Sequence, residues 1–361
     1  MAPAFRLIGS DGAARVLRKA GLCALVVLAP LSCASLENES AEGIEVTNLP
    51  VVSYPLAWMD NERILMRVDT GKRIDAPGGG RYATFDLISY NYKTGERHDY
   101  GRVGQQICYA GGYISHTRAD DENSNTIIAV YGELGRESVR RIRRGEMAFE
   151  RGATGSCRPL SERPPRPSWA QNDTYVMYLW PRLGFVDCQT RAVNPLTKSV
   201  KARFHRNNDD VGVELPFSCE QVFGGLRYYP FKGAYFALEY DYRHPWPEGV
   251  DRRAFWLYPD GRVETLTFPY SKAIRNTAVP VIDGLLAFSR ANSRKEDYWV
   301  YFVKPDSATR LFRGDATGIT SPDGCKVAML IDPDYKKKLW SRDVKSPVLL
   351  KVLDFCARQA K

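Results

Sequence analysis

Histidine is the side chain best suited to proton transfer near neutral pH and to metal ligation. The chain has four: His98, His116, His205 and His244. None stands two or four residues from another, so no strand or helical turn brings two imidazoles onto one ion by itself. Nucleophile motifs are missing: there is no G-x-S-x-G elbow and no S-x-D-x-G-x-x-W box. Asp121-Glu122-Asn123-Ser124-Asn125, after Asp120, spells Asp-x-Asn-x-Asn, the first half of a calcium loop. No Gly follows at the sixth place and no acid closes the loop, so a polar hairpin is the simpler expectation. Asp332-Pro333-Asp334 runs straight into Lys336, Lys337 and Lys338. The sequence therefore assigns no catalytic residue, no metal ligand and no cofactor.

Binding chemistry has more to offer. Arg136, Arg140, Arg141, Arg143 and Arg144 form the densest basic run. Read as a strand, Arg141 and Arg143 share one face, and Arg140, Ile142 and Arg144 the other. Such a run suits a solvated sheet edge, where charge prevents edge-to-edge pairing; contact with an anionic surface through Arg140, Arg141, Arg143 and Arg144 is the sharper alternative. Aromatic residues crowd from Phe223 to Trp246, among them Tyr228, Tyr229, Phe231, Tyr235, Phe236 and Tyr240. Strand alternation sends half of them into a core. Tyr242, His244 and Trp246 sit in a Pro-bounded stretch and are the candidates for ligand contact, for instance stacking on a sugar face.

The chain holds eight cysteines, six of them beyond residue 34: Cys108, Cys157, Cys188, Cys219, Cys325 and Cys356. No C-x-x-C pair occurs, which leaves no zinc-finger spacing. Disulfides between sequence neighbours are expected, Cys108–Cys157, Cys188–Cys219 and Cys325–Cys356, although six cysteines allow 15 pairings.

These residues must be positioned by strands. Short apolar runs recur between Gly- and Pro-containing turns, with no long amphipathic helix: ILMRV at 64–68, IIAVY at 127–131, AFWLY at 254–258, YWVYFV at 298–303 and VAMLI at 327–331. Asp260-Gly261 marks a tight hairpin. Turns at Asn61, Gly111, Asn172, Lys232, Asp283 and Asp323 recur at intervals of 40 to 61 residues. Units of about 40–50 residues with four strands each are the signature of propeller blades. The expected fold is all-β, a β-propeller of about six four-stranded blades. A β-sandwich or two packed β domains is the alternative.

Thr317 to Leu330, TGITSPDGCKVAML, resembles the SPDG-x-x-hydrophobic-Ala signature of TolB-type (WD40-like) propeller repeats. In that family Ser-Pro-Asp-Gly forms the turn between the first and second strands of a blade. Ala57–Leu65 and Ser168–Val176 resemble degenerate copies, each with a Trp before the turn. The resemblance implies a fold and little about function, since propellers host enzymes, binders and scaffolds alike.

The N-terminus reads as an address. Arg6, Arg15, Arg18 and Lys19 precede the apolar run Ala20–Leu31, too short for a bilayer span, which needs roughly 20 residues. Residues 1–34 are read as a signal peptide, 35–50 as a flexible tether and 51–361 as a single propeller domain. Ser32 and Ala34 suit ordinary cleavage, whereas Cys33 resembles the acylated cysteine of lipoproteins with an imperfect lipobox; both outcomes stay open. Removing 1–34 lowers the net charge from +9 to +6, a mild excess. Export and that modest charge argue against nucleic acid. The expected role is an exported envelope protein, in the periplasm or at the outer membrane, that binds or assembles with an envelope protein or glycan without catalysis. The alternative is a propeller-fold glycan-active hydrolase or lyase.

Overall fold

The structure, a computed structural model, describes residues 44–49, 54–75, 81–104, 107–120, 122, 125–143, 175–179, 184–193, 200–206, 212–218, 226–239, 251–268, 277–289, 298–333 and 348–357. These residues carry strands and turns and no helix. Asn38–Lys361 forms one compact unit, distinct from Met1–Glu37.

The described strands form six antiparallel four-stranded sheets. Blade I is β2 (Tyr54–Trp58), β3 (Arg63–Asp75), β4 (Arg81–Asn91) and β5 (Arg97–Val103). Blade II is β6 (Ile107–Ala110), β7 (Tyr113–Ala119), β8 (Thr126–Glu133) and β9 (Ser138–Arg143). Blade III is β10 (Tyr175–Leu179), β11 (Gly184–Val193), β12 (Val200–Arg206) and β13 (Val213–Ser218). Blade IV is β14 (Arg227–Tyr229), β15 (Ala234–Leu238), β16 (Arg252–Leu257) and β17 (Val263–Phe268). Blade V is β18 (Thr277–Val281), β19 (Gly284–Ser289), β20 (Trp299–Val303) and β21 (Ala308–Arg313). Blade VI is β22 (Asp315–Thr320), β23 (Lys326–Asp332), β24 (Leu349–Asp354) and, from the start of the chain, β1 (Glu45–Leu49). The fold is an all-β propeller.

The middle strands explain the unbroken apolar runs of the sequence. A blade packed between two others is buried on both faces, so its inner strands lose the alternation of a half-exposed sheet. Every residue of β23 from Lys326 to Ile331 is buried, as are Ala254 to Leu257 of β16. Apolar clusters then join successive sheets. Leu65 and Leu87 of blade I meet Ile114 of blade II. Phe204 meets Tyr235 across III–IV, and Trp256 meets Leu285 across IV–V. Phe288 meets Met329 across V–VI, and Leu330 meets Ile64 across VI–I.

The expected turns join first to second strands at five sheets, β2–β3, β6–β7, β14–β15, β18–β19 and β22–β23. Counting units from those turns therefore leaves each first strand in the preceding unit. The turn at Asn172 lies outside the described residues. At Ser321-Pro322-Asp323-Gly324 the side chains do what the motif implies. Asp323 Oδ1 accepts from the Cys325 N–H at 3.0 Å, Ser321 Oγ accepts from the Lys326 N–H at 2.8 Å, and Gly324 takes φ 75°. In blade I Asp60 repeats the role, its Oδ1 accepting from the N–H groups of Glu62 and Arg63.

One boundary differs from the sequence reading. Glu45–Leu49, placed there in the flexible tether 35–50, is the outer strand of blade VI, paired from Glu45↔Asp354 to Leu49↔Leu350. The pairing partner lies 300 residues away, so no local signal marks it. The strand closes the ring, with Lys351 Nζ donating to Asn48 Oδ1 at 2.6 Å. On the inner side, Trp58 Nε1 of blade I donates to the Ile319 carbonyl of blade VI at 2.9 Å.

Candidate functional site

Tyr242, His244, Trp246, Cys33, Arg144, Cys157 and Cys219 lie outside the described residues, and of Cys188 only the backbone, on β11, is described. Cys325 and Cys356 are joined, with Cα atoms 5.3 Å apart. Cys108 is disulfide-bonded as well. The aromatic crowd is core where it is described: Tyr229, Phe231 and Phe236 pack around Trp256 at centroid distances of 5.0–5.9 Å. His98 is exposed beside Tyr100, and His205 is buried in blade III. Among the described residues no three His, Cys, Asp or Glu converge as a metal site. Asp120 instead ties down its hairpin, accepting from Thr126 Oγ1 at 2.6 Å and pairing with Arg141 at 3.1 Å.

The feature sequence reasoning missed is a cleft of about 230 Å³ between blades I and II. Radial blades diverge outward, so the gap beyond the shared apolar core widens toward the outer strands. Leu87, Val103, Ile114 and Val130 form its apolar lining. On β7 Ile114, His116 and Arg118 stand at every second residue and so project from one face, toward blade I. From blade I come Tyr100 and Arg102. A bulge at this point of β5 makes Tyr100 an extra residue, since Leu87 pairs with Gly101 while Ile88 pairs with Asp99. Bulges of this kind re-aim side chains. Glu137 and the exposed Val139 complete the blade II wall.

Gly104 fixes how closely the two blades meet. A Cβ there would lie 1.6 Å from the Thr117 carbonyl oxygen, so the backbone leaving β5 presses directly on β7. Only glycine permits that approach.

His116 is 5 % exposed, and its Nδ1 has no hydrogen-bond partner. Burial first, and the Arg118 guanidinium second, bring its pKa down to about 4 against an opposing pull from Glu137. At neutral pH the ring is uncharged, with one donor and one acceptor nitrogen. The charged groups of the lining are then Arg102, Arg118 and Glu137, a net charge of +1. Beyond the cleft β9 is the edge strand of blade II, exposed from Ser138 to Arg141 and at Arg143, with Ile142 turned into the core. The basic run is thus the solvated edge that its composition suggested. Arg141 is anchored on Asp120 and Glu122; Arg143 is exposed on the cleft-facing side of β9 with Val139, and Arg140 on the opposite side.

No protein-family model matches the chain, and no curated protein matches it in sequence. Among solved structures the chain is similar to an oligogalacturonate lyase in complex with manganese, at 10 % identity and a TM-score of 0.38, covering 90 % of this chain and 96 % of that one. It is similar to an oligogalacturonate lyase from Vibrio parahaemolyticus, at 10 % identity and TM-score 0.37, covering 87 % and 94 %. The β-propeller domain of the Trilobed protease from Pyrococcus furiosus is similar at 10 % identity and TM-score 0.31, covering 78 % and 80 %. At these TM-scores none of the three carries an argument about this chain, whose fold rests on its own sheet order.

Proposed function

We propose that the chain is an exported cell-envelope propeller of the TolB-type kind, acting as a binding or assembly module without chemistry of its own. Its contact surface is the outer wall of blades I and II, and its partner is an anionic envelope component. The observation that carries this reading is the joint placement of Arg102, Arg118 and Arg143 around one cleft and its rim, drawn from three strands of two blades, with Arg140 exposed on the other side of the β9 edge. A wall of net positive charge around a concave, partly apolar floor favours anionic partners and speeds their encounter. Export rests on the charged-then-apolar segment 1–34, and membrane attachment rests on acylation of Cys33.

Retention of the full exported chain on immobilised heparin, as an anionic glycan probe, against neutral dextran is the direct test. Heparin is expected to retain it, retention is expected to fall with salt because exposed charges are screened, and the Arg140→Gln/Arg143→Gln variant should elute earlier. Equal elution of variant and wild type would overturn the assigned surface. New reducing ends or unsaturated products formed from an acidic polysaccharide would overturn the non-catalytic role in favour of a glycan-active enzyme.

A further inference from the structure

We propose that the cleft between blades I and II is a binding site for a small organic carboxylate with an apolar body. The inference rests on the reading of this wall as a binding surface and names the chemistry that its recessed part selects.

Size comes first. A space of about 230 Å³ is below the roughly 300–1,000 Å³ of pockets for drug-sized ligands. It suits one small molecule and excludes a folded chain. Charge comes second. Arg102 and Arg118 line the space from opposite blades, and a guanidinium offers paired N–H donors that match a carboxylate. Glu137 shares the lining, so the site balances a single negative charge and disfavours a doubly charged group. Cations are disfavoured by the two arginines. The floor comes third: Leu87, Ile114 and Val103 are nearly fully buried, and Val130 is 8 % exposed. An aliphatic or aromatic body laid there removes its own apolar surface, and part of the exposed Val139, from water.

His116 supplies the independent sign that something is meant to bind. It is 5 % exposed, it lines the cleft, and its Nδ1 is buried with no partner. Buried polar atoms in folded proteins are almost always paired, and an unpaired one calls for a cause. The imidazole stands on β7 between Ile114 and Arg118, where apolar floor gives way to cation. A bound carboxylate at Arg118 would complete the polar surroundings of the ring.

The test uses the full exported chain with its histidine rings isotope-labelled and observed by NMR. Benzoate is the probe; benzamide removes its charge, and inorganic phosphate removes its body and adds charge. Benzoate is expected to shift the His116 ring signals saturably, with benzamide and phosphate each about tenfold weaker or more, the scale of one hydrogen bond to a charged group. Arg118→Gln should weaken benzoate by a similar factor. Glu137→Gln, which leaves both arginines in place, should strengthen phosphate and retain benzoate. Absence of a benzoate shift at His116, or equal binding of benzamide or phosphate, overturns the inference. Heparin retention without benzoate binding leaves the proposed function standing and removes this site. Benzoate binding without heparin retention does the reverse.

Discussion

Replacing Cys325 and Cys356 together by serine removes a cross-link whose effect on stability follows from loop length. The bridge spans a sequence separation of 31 residues. Constraining a loop of that size in the unfolded chain is worth roughly 3.5–4 kcal/mol at 25 °C in the chain-entropy relation. The native contacts around it do not depend on sulfur. The Phe355 N–H donates to the Cys325 carbonyl at 2.8 Å, and β23 pairs with β24 from Lys326↔Asp354 to Ile331↔Leu349. The loss therefore belongs almost wholly to the unfolded state. Spread over the unfolding entropy of about 300 residues, at about 2.1 cal/mol/K per residue, it lowers Tm by roughly 6 °C. The assay is calorimetry of the exported chain and the double variant, both oxidised, so that the bridge at Cys108 is kept. Denaturant unfolding should also give a larger m-value for the variant, because its unfolded chain is less compact. A Tm within about 1 °C of wild type, with unchanged m, would show that β1 and the blade core already hold this terminus and that the loop argument is wrong.

Acid should weaken the fold through His116. Its folded pKa is about 4 against 6.5 unfolded, so below pH 6.5 the unfolded chain takes up a proton that the folded ring refuses. Stability then falls by about 3 kcal/mol as pH drops from 6.5 to 4. In His116→Leu this part of the slope should vanish in urea titrations across that range; an identical slope in both proteins would refute the cause. Gly104→Ala forces a Cβ against the Thr117 carbonyl, and with backbone on both sides it should cost about 3 kcal/mol or more, read as a fall in Tm or soluble yield. A neutral outcome would mean that blades I and II do not meet there. If Cys33 is acylated, wild type partitions into detergent and Cys33→Ala does not; a wild type that is already soluble and begins at Ser35 contradicts acylation.

The strands were legible because their causes are local. Asp-Gly and Gly-Gly turns, and the apolar runs between them, depend on neighbours within a few residues. The turns at Asp60 and Asp323 accordingly fall between first and second strands, as the SPDG resemblance implied, and the turn at Lys232 does the same. The Arg run was legible as an edge because it alternates around a single buried residue, Ile142. The inward part of the aromatic crowd was legible from alternation, with Tyr229, Phe231 and Phe236 packed against Trp256, while Tyr242, His244 and Trp246 lie outside the described residues. Rings at alternate positions have the same spacing whether they face core or solvent.

The sequence by itself determined an all-β chain of repeated four-stranded units, its turn chemistry, and one disulfide between sequence neighbours, Cys325 and Cys356. Each depends on contacts between segments near in the chain. Ring closure and the cleft were decided only by tertiary structure. Glu45–Leu49 is a polar segment with no hairpin partner of its own, and it becomes a strand because β24 presents an unpaired edge. His116 has only Arg118 beside it along its own strand; the burial that chiefly lowers its pKa, and Arg102 as a second arginine of the cleft, come only when β5 and β7 are packed side by side. Desolvation and charge proximity act through space, and two residues a blade apart carry no sign of either in the order of the amino acids.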